Sequence, residues 1–464
     1  MTGKFLPTAA AMGMALGLVG CGGGGGGGGG YTAPPTYTVG GAVTGLASGE
    51  SVTLANGADM VTVSGNTTFV FATPIQQNGS YSVAVNAQPA GQSCVVSAAS
   101  GSGVMANVTG VAVACTNLPQ FAYVVNNGNN TVFQYSIDGA TGLLVPQTVA
   151  SVATGNSPQS VTVDPTHHFV YITNLTDNTI SQYVIQSDGT LAPNTPATVA
   201  TGLGPWAVTF GPSGNWAYVV NSIGNTISQF SVSSSGALVA TAIAPVVAGT
   251  EPWNLTFSPD GKYAYVSDHG TGAPTAGMAV SQYSVGVSDG ALAPLATPFI
   301  FTESTYPGGI AVDANSAYTY VANITGDTVS QYAIGADGTL SKLSPVTVPA
   351  GIEPAYVAID PSNRYVYVAN FTIDVHPGTA GTVSQYTLGA AGQLTPMATP
   401  AVTTGSGPGW IAFDSFGHYV YVTNSGNGTV PGTVSEYSIG ADGALTSIGT
   451  ITAGPSTFMI ATTY

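Results

Sequence analysis

From residue 121 onward the apolar and polar positions repeat. An aromatic-led run with a central Tyr ends in Asn or Asp: Phe121-Ala-Tyr-Val-Val-Asn126, Phe169-Val-Tyr-Ile-Thr-Asn174 and Trp216-Ala-Tyr-Val-Val-Asn221. The run recurs as Tyr263 to Asp268, Tyr318 to Asn323, Tyr365 to Asn370 and Tyr419 to Asn424, at spacings of 48, 47, 47, 55, 47 and 54 residues. Its β-branched and aromatic content predicts a strand. Each copy is followed by a second strand, such as Thr179-Ile-Ser-Gln-Tyr183 or Thr433-Val-Ser-Glu-Tyr437. Turns such as Asp188-Gly189 and Asp442-Gly443 come next, then Leu191 or Leu445. Another strand opens after a proline in each unit, at Pro158, Pro205, Pro252, Pro307, Pro354, Pro408 and Pro455.

Four short strands per unit of about 47 residues are the mark of a propeller blade, and seven copies predict an all-β, seven-bladed β-propeller. The two strand series are offset. The repeat starts on an aromatic strand with no proline-led strand before it, and ends on a proline-led strand, Pro455 to Ile460, with no aromatic strand after it. The C-terminal strand is therefore expected to complete the first blade and close the ring, which removes an open edge. Runs such as Tyr365 to Asn370 are apolar on both faces, as a sheet sandwiched between two others requires. Between residues 38 and 117, shorter runs (Val52-Thr-Leu54, Thr68 to Phe71, Tyr81 to Val85, Val111-Ala-Val113) alternate with turn signals and predict a small antiparallel β-sandwich.

Upstream of this the chain changes character. Lys4 precedes an uncharged run from Phe5 to Val19 that ends in Leu18-Val19-Gly20-Cys21, and Gly22 to Gly30 are nine consecutive glycines. A membrane span needs about 20 apolar residues, so the run of 15 suits a signal peptide. The glycine tract cannot pack and reads as a flexible tether. The expected organisation is a signal peptide over 1–20, a Cys and Gly-rich tether over 21–37, the small module over 38–117 and the propeller over 118–464.

Composition narrows the function. Lys and Arg number 4 against 20 Asp and Glu, for a net charge of −16, and charged residues make up 5 % of the chain. So few cations cannot neutralise a phosphate backbone, which excludes nucleic acid as a partner. Scarce Lys, Glu and Arg with abundant Gly, Thr, Val and Tyr argue against helices. Hydrophobic residues at 44 % are too many for a disordered acidic chain. The two cysteines beyond Cys21, Cys94 and Cys115, are expected to pair in an oxidising compartment, which contributes roughly 3 kcal/mol in a loop-entropy account. No His lies near them, so neither a metal site nor any cofactor is expected.

The repeated Tyr-Val-x-Asn with its following hairpin resembles the YVTN repeat family, and the seven-fold unit ending in Asp-Gly-x-Leu is similar to the lactonase-type propellers that include 6-phosphogluconolactonase and carboxymuconate cyclase. The small module resembles immunoglobulin-like spacer modules of exported proteins. The residues up to Cys21 resemble the lipobox of bacterial lipoproteins, and Gly22 resembles the residue found in those sorted to the outer membrane. The resemblances imply a lipid-anchored protein of the bacterial envelope, expected to be monomeric, that touches the membrane through acylated Cys21 alone.

In a propeller the proline-led strand lines the channel, so the residues after each proline should ring its mouth. They are Gln159-Ser160, Trp206-Ala207, Trp253-Asn254, Gly308-Gly309, Ala355-Tyr356, Gly409-Trp410 and Ser456-Thr457. Trp206, Trp253, Tyr356 and Trp410 are the ligand-binding candidates, either as a stacking platform for sugars or apolar rings or as filler of a tapered channel. The lactonase resemblance implies His and Arg at this site, yet none of the fourteen positions is His, Lys or Arg. Lys262, Arg364, His168 and His418 immediately precede aromatic strands, which puts them at the opposite face, and Lys342 belongs to the outer part of its blade. Two histidines remain as weak catalytic candidates, His269 after Asp268 and His376 after Asp374, each beside a carboxylate in a lengthened mouth loop. Glu251, Glu303 and Glu353 also precede channel strands.

Three functions stay open on the sequence. One is a non-catalytic propeller binding a glycan, small molecule or protein at its mouth. The second is a lactone hydrolase for a neutral substrate, with His269 or His376 as base. The third is a structural envelope protein. The anchor is directly testable: acyl chains supply about 0.8 kcal/mol of membrane affinity per buried methylene. Cys21→Ser should therefore move the protein from the membrane pellet to the soluble fraction, and a variant that still pellets rules the anchor out.

Overall fold

The structure is a computed structural model that describes residues 33–47, 49–89, 91–270, 278–302, 306–372, 380–426 and 430–463. The expected leader, Cys21 and most of the tether lie outside the described residues, as do His376, Asp374 and Glu303.

Seven sheets of the C-terminal region each run from an inner, proline-led strand to an outer one. Blade two is representative, with Pro158–Val163, Phe169–Asn174, Thr179–Ile185 and Leu191–Ala200 joined by antiparallel pairs. Blade three departs from the rest because its outer strand is broken into Leu238–Ala240 and Val246–Val247. The ring closes as the strand offset predicts: Thr457–Thr462 pairs antiparallel with Gln120–Asn126, so the C-terminus supplies the inner strand of blade one.

Neighbouring blades are joined by a repeated set of contacts. The central Tyr of each aromatic strand donates its hydroxyl to the carbonyl of the Gly in the next blade's hairpin turn. The seven bonds are Tyr123–Gly189, Tyr171–Gly236, Tyr218–Gly290, Tyr265–Gly338, Tyr320–Gly392, Tyr367–Gly443 and, across the seam, Tyr421–Gly142, at 2.5 to 2.8 Å. The first aromatic of the same strand lies over that turn glycine: a Cβ on Gly189 would come within 2.1 Å of the Phe121 ring. Gly189 also sits at φ +84°, so both close approach and backbone conformation demand glycine there. A second bond runs alongside. Gln182 Oε1 accepts the backbone N–H of Leu238 at 2.7 Å, and the same residue pair recurs at every junction but the seam within 2.5 to 2.9 Å. At the seam Glu436 takes the Gln position and accepts from Leu144 N at 2.7 Å.

The N-terminal module is two four-stranded sheets around a core that includes Val39, Val52, Leu54, Phe69, Phe71, Val111 and Val113. The alternating runs predict an antiparallel sandwich throughout, and the structure departs from this. Val39–Thr44 and Val108–Asn117, the module's second and last strands, pair in parallel, so the chain leaves toward the propeller in the direction in which that early strand runs. Cys94 and Cys115 face each other in register on adjacent strands and form the disulfide. The module meets the propeller at the face opposite the proline-led entrances, where a Cβ on Gly91 would come within 2.5 Å of Ser415 Oγ and 3.0 Å of the Phe416 ring.

Deleting residues 455–464 removes blade one's inner strand with buried Met459 and Ile460. At about 2–5 kcal/mol for each large core side chain lost, the whole ring should melt at markedly lower temperature. An unchanged melting temperature would show that the ring does not depend on this strand.

Candidate functional site

The mouth is built by one backbone clamp used in every blade. The residue at the start of each inner strand's approach sits at positive φ: Ser157 (+54°), Gly204 (+66°), Glu251 (+52°), Tyr306 (+57°), Glu353 (+53°), Gly407 (+67°) and Ser456 (+55°). Its carbonyl accepts the N–H of the residue that follows the aromatic strand's terminal Asn or Asp, as in His269 N to Glu251 O at 3.0 Å and Phe371 N to Glu353 O at 2.8 Å. An Asn or Asp of the preceding blade then receives the N–H of the clamped residue, for instance Asn225 Oδ1 from Glu251 and Asp327 Oδ1 from Glu353, both at 2.8 Å. The left-handed backbone costs of order 1–3 kcal/mol at a non-glycine residue and persists because such bonds over-determine it. Two positions per blade are thereby brought to the mouth: the residue at positive φ, which is glycine in blades three and seven, and the one after the Asn or Asp.

These positions and the first residues of the inner strands enclose a cavity of about 350 Å³. Trp206, Trp253 and Trp410 line it as expected, with His269, Glu353, Tyr306, Phe371 and Phe458 completing much of the wall. Ring contacts run in an arc from Phe458 through Trp206 (5.9 Å), Trp253 (3.9 Å) and His269 (4.6 Å) to Tyr306 (4.6 Å). Tyr356 is not in this wall. It stacks on Trp410 with centroids 3.6 Å apart and borders a smaller space of about 240 Å³ with channel residues such as Ser160 and Ile310. Tyr356 fills the channel beneath the three tryptophans, which form the wall.

Tyr306, Phe371 and Phe458 escaped the sequence reasoning, which took its aromatic candidates only from the two residues after each proline. For Phe371 the signal was available in the repeat itself, since Asn127, Leu175, Ser222, His269, Ile324, Phe371 and Ser425 each follow the Asn or Asp that ends an aromatic strand. Only the clamp shows that this column faces the channel.

The expected pairing of His269 with Asp268 is not present. Consecutive residues at a strand end point to opposite sides, and Asp268 turns into the blade. There Ser281 Oγ donates to its Oδ2 at 2.6 Å, while Oδ1 is buried without a hydrogen-bond partner. In blade two the equivalent Asn174 donates to Thr179 Oγ1 and Ser181 Oγ, both at 3.0 Å, but blade four has Ala279 where that Thr stands. Burial pushes the Asp268 carboxyl up to about 8, against its hydrogen bonds from Ser281 and the Gly249 backbone. Burial alone pushes the His269 imidazole down to about 4. It is neutral at pH 7, and a base of that pKa is poorly matched to proton abstraction near neutrality.

Comparison with known proteins follows the same outline. The family model "Lactonase, 7-bladed beta-propeller" matches residues 92–191, 153–351, 271–380 and 375–463. A solved structure from Bacteroides fragilis, provisionally assigned as a 6-phosphogluconolactonase, is 19 % identical with a TM-score of 0.62, covering 75 % of this chain and 98 % of its own. The periplasmic gluconolactonase of Pseudomonas aeruginosa is 17 % identical with a TM-score of 0.60, over 75 % of this chain and 99 % of its own. At such identities the likeness is one of fold. No curated protein matches the chain in direct sequence comparison.

The buried acid gives a pH prediction. A carboxyl raised from near 4 to about 8 in the folded state favours folding while protonated, and that advantage is lost as pH rises through about 8. Asp268→Asn restores the residue of the other six blades. It should stabilise the protein at pH 9 by about 1–3 kcal/mol and change little near pH 4.5. Denaturant melts at both pH values check this, and equal effects at the two would refute the buried acid.

Proposed function

Because the chain belongs to the seven-bladed lactonase family of β-propellers and its mouth is walled by aromatic rings, we propose that it is a binding module of the bacterial envelope, lipid-anchored through Cys21, that holds a small ring-bearing ligand such as a glycan unit or an apolar ring. The observation that carries the reading is the cavity of about 350 Å³, lined by Trp206, Trp253 and Trp410 without a Lys or Arg among the lining residues. That volume falls at the small end of ligand sites and suits one or two rings better than a protein surface. Aromatic faces contribute about 0.5–1.5 kcal/mol per stacked pair beyond simple burial.

A second reading, lactone hydrolysis, is supported by the family and by the presence of His269 in the wall. Opening a lactone builds negative charge on the carbonyl oxygen, and losing one donor to that oxygen costs about 2.7–4 kcal/mol. The described wall offers a weakly basic imidazole and a carboxylate, Glu353, and no cation. A phosphorylated lactone is the least compatible substrate. The binding reading is therefore the stronger of the two.

One ligand and two sets of variants separate them, after a panel of lactones and glycans has been screened on the soluble form lacking residues 1–30. For a binding module, Trp206→Ala, Trp253→Ala and Trp410→Ala should each weaken binding by on the order of 1–3 kcal/mol, while His269→Ala and His376→Ala change little. A hydrolase reverses the weighting, with roughly 10²–10⁴-fold loss of turnover in the variant lacking the base. Turnover that collapses with either histidine and survives the tryptophan changes would overturn the binding reading.

A further inference from the structure

The propeller's few cations lie away from the mouth, beside acids of the same hairpins such as Asp260 and Asp360. Beyond Lys4, the chain has only three Lys or Arg residues, Lys262, Lys342 and Arg364. Lys262 and Arg364 occupy hairpins at the face opposite the mouth, where each immediately precedes an aromatic strand, Tyr263–Asp268 and Tyr365–Asn370. Lys342 is the third residue of the outer strand Leu340–Pro349, near the same face. The loops of the mouth carry Asp177, Glu251, Asp327 and Glu353 with no Lys or Arg, and Glu353 reaches the cavity wall. An anion approaching this face meets only like charge, whereas a cation is drawn toward it.

The wall adds a second, independent preference. Trp206, Trp253, Trp410, Tyr306, Phe371 and Phe458 present π-faces or edges around one enclosed space, and the negative face of an aromatic ring attracts a cation most strongly where water is excluded. His269 brings no opposing charge, since burial keeps it neutral. A primary ammonium would need several hydrogen-bond acceptors in exchange for its hydration shell, and this wall is mostly carbon. A quaternary ammonium has no N–H to satisfy and is weakly hydrated, so it suits such a wall.

Resting on the reading of the mouth as a ligand site, we propose that the ligand of this propeller carries an organic cation, a quaternary ammonium group on a small body, seated among the tryptophans with the Glu353 carboxylate as its counter-charge. The neutral rings that bind sugar-like or apolar ligands would then hold the remainder of the molecule. The specificity differs in sign from that of a site built for a sugar acid or a phosphate.

The test uses the full-length protein in a neutral detergent and calorimetric titration with two probes of nearly the same shape, choline and its uncharged isostere 3,3-dimethyl-1-butanol. Choline should bind at least about tenfold more tightly, within the range of desolvated cation–π contacts. Raising salt from 0.05 to about 0.5 M should weaken choline binding several-fold and leave the isostere unchanged. Glu353→Gln keeps the shape and the clamped backbone and should lower choline affinity alone. Equal binding of the two probes overturns the cation preference while leaving the aromatic site intact. The cation preference is equally overturned if neither probe binds but a neutral glycan or ring compound does so through the tryptophans. Failure of the charged, uncharged and glycan probes together would overturn the binding reading itself.

Discussion

Everything at the mouth depends on the way one blade holds the next. A four-stranded sheet of this kind has an apolar surface on both sides and cannot stand alone in water. The tyrosine that reaches from each aromatic strand to the neighbouring turn glycine fixes the blades' separation and angle. The aromatic ring laid over the same glycine excludes a side chain there. Burial raises the pKa of these tyrosines well above the ordinary range, as at Tyr123, Tyr171 and Tyr218, so they stay protonated donors. Each bond contributes about 1 kcal/mol net, but an unpaired buried hydroxyl would cost more. Seven such junctions, one of them formed across the chain ends, leave little freedom for any blade to shift.

That rigidity reaches the mouth through the clamp. Because the clamp's acceptor lies on the preceding blade, as Asn225 does for Glu251, the loop entering each inner strand is positioned by two blades at once. Side chains on such loops are held as firmly as those on strands, which a binding wall requires. The repeat supplies seven equivalent places, and the sequence varies what stands in them. Blade two places Gln159 and Ser160 at its inner strand, whereas blades three, four and seven place tryptophan. Function can diversify this way without disturbing the latches, so the shared fold says little about the ligand.

Charge follows the same division of labour. The module meets the propeller at one face and the described Lys and Arg residues lie on that side, leaving the aromatic mouth with its Glu353 pointing away from the N-terminal module. A site that meets its ligand from the open side gains from such an arrangement, since nothing of the module stands across it.

The amino-acid sequence alone determined the blade number, the closing strand, the cysteine pair and three of the tryptophans at the mouth. All of these follow from local periodicity, because strand length, turn glycine and proline recur at a fixed spacing and each unit must bury the same two faces. Tertiary structure decided the rest. Asp268 and His269 are adjacent in the chain, and their opposite directions at a strand end separate them into a buried acid and a wall residue. Tyr356 sinks below the cavity because Trp410, from the next blade, lies flat on it. Phe458 meets Trp206 across the channel, at a separation of some 250 positions in the chain. The parallel strand pair of the module likewise joins two segments far apart in sequence. Such pairings arise from closing the ring and packing one element on another, and a repeat unit read by itself contains no record of which neighbour it will face.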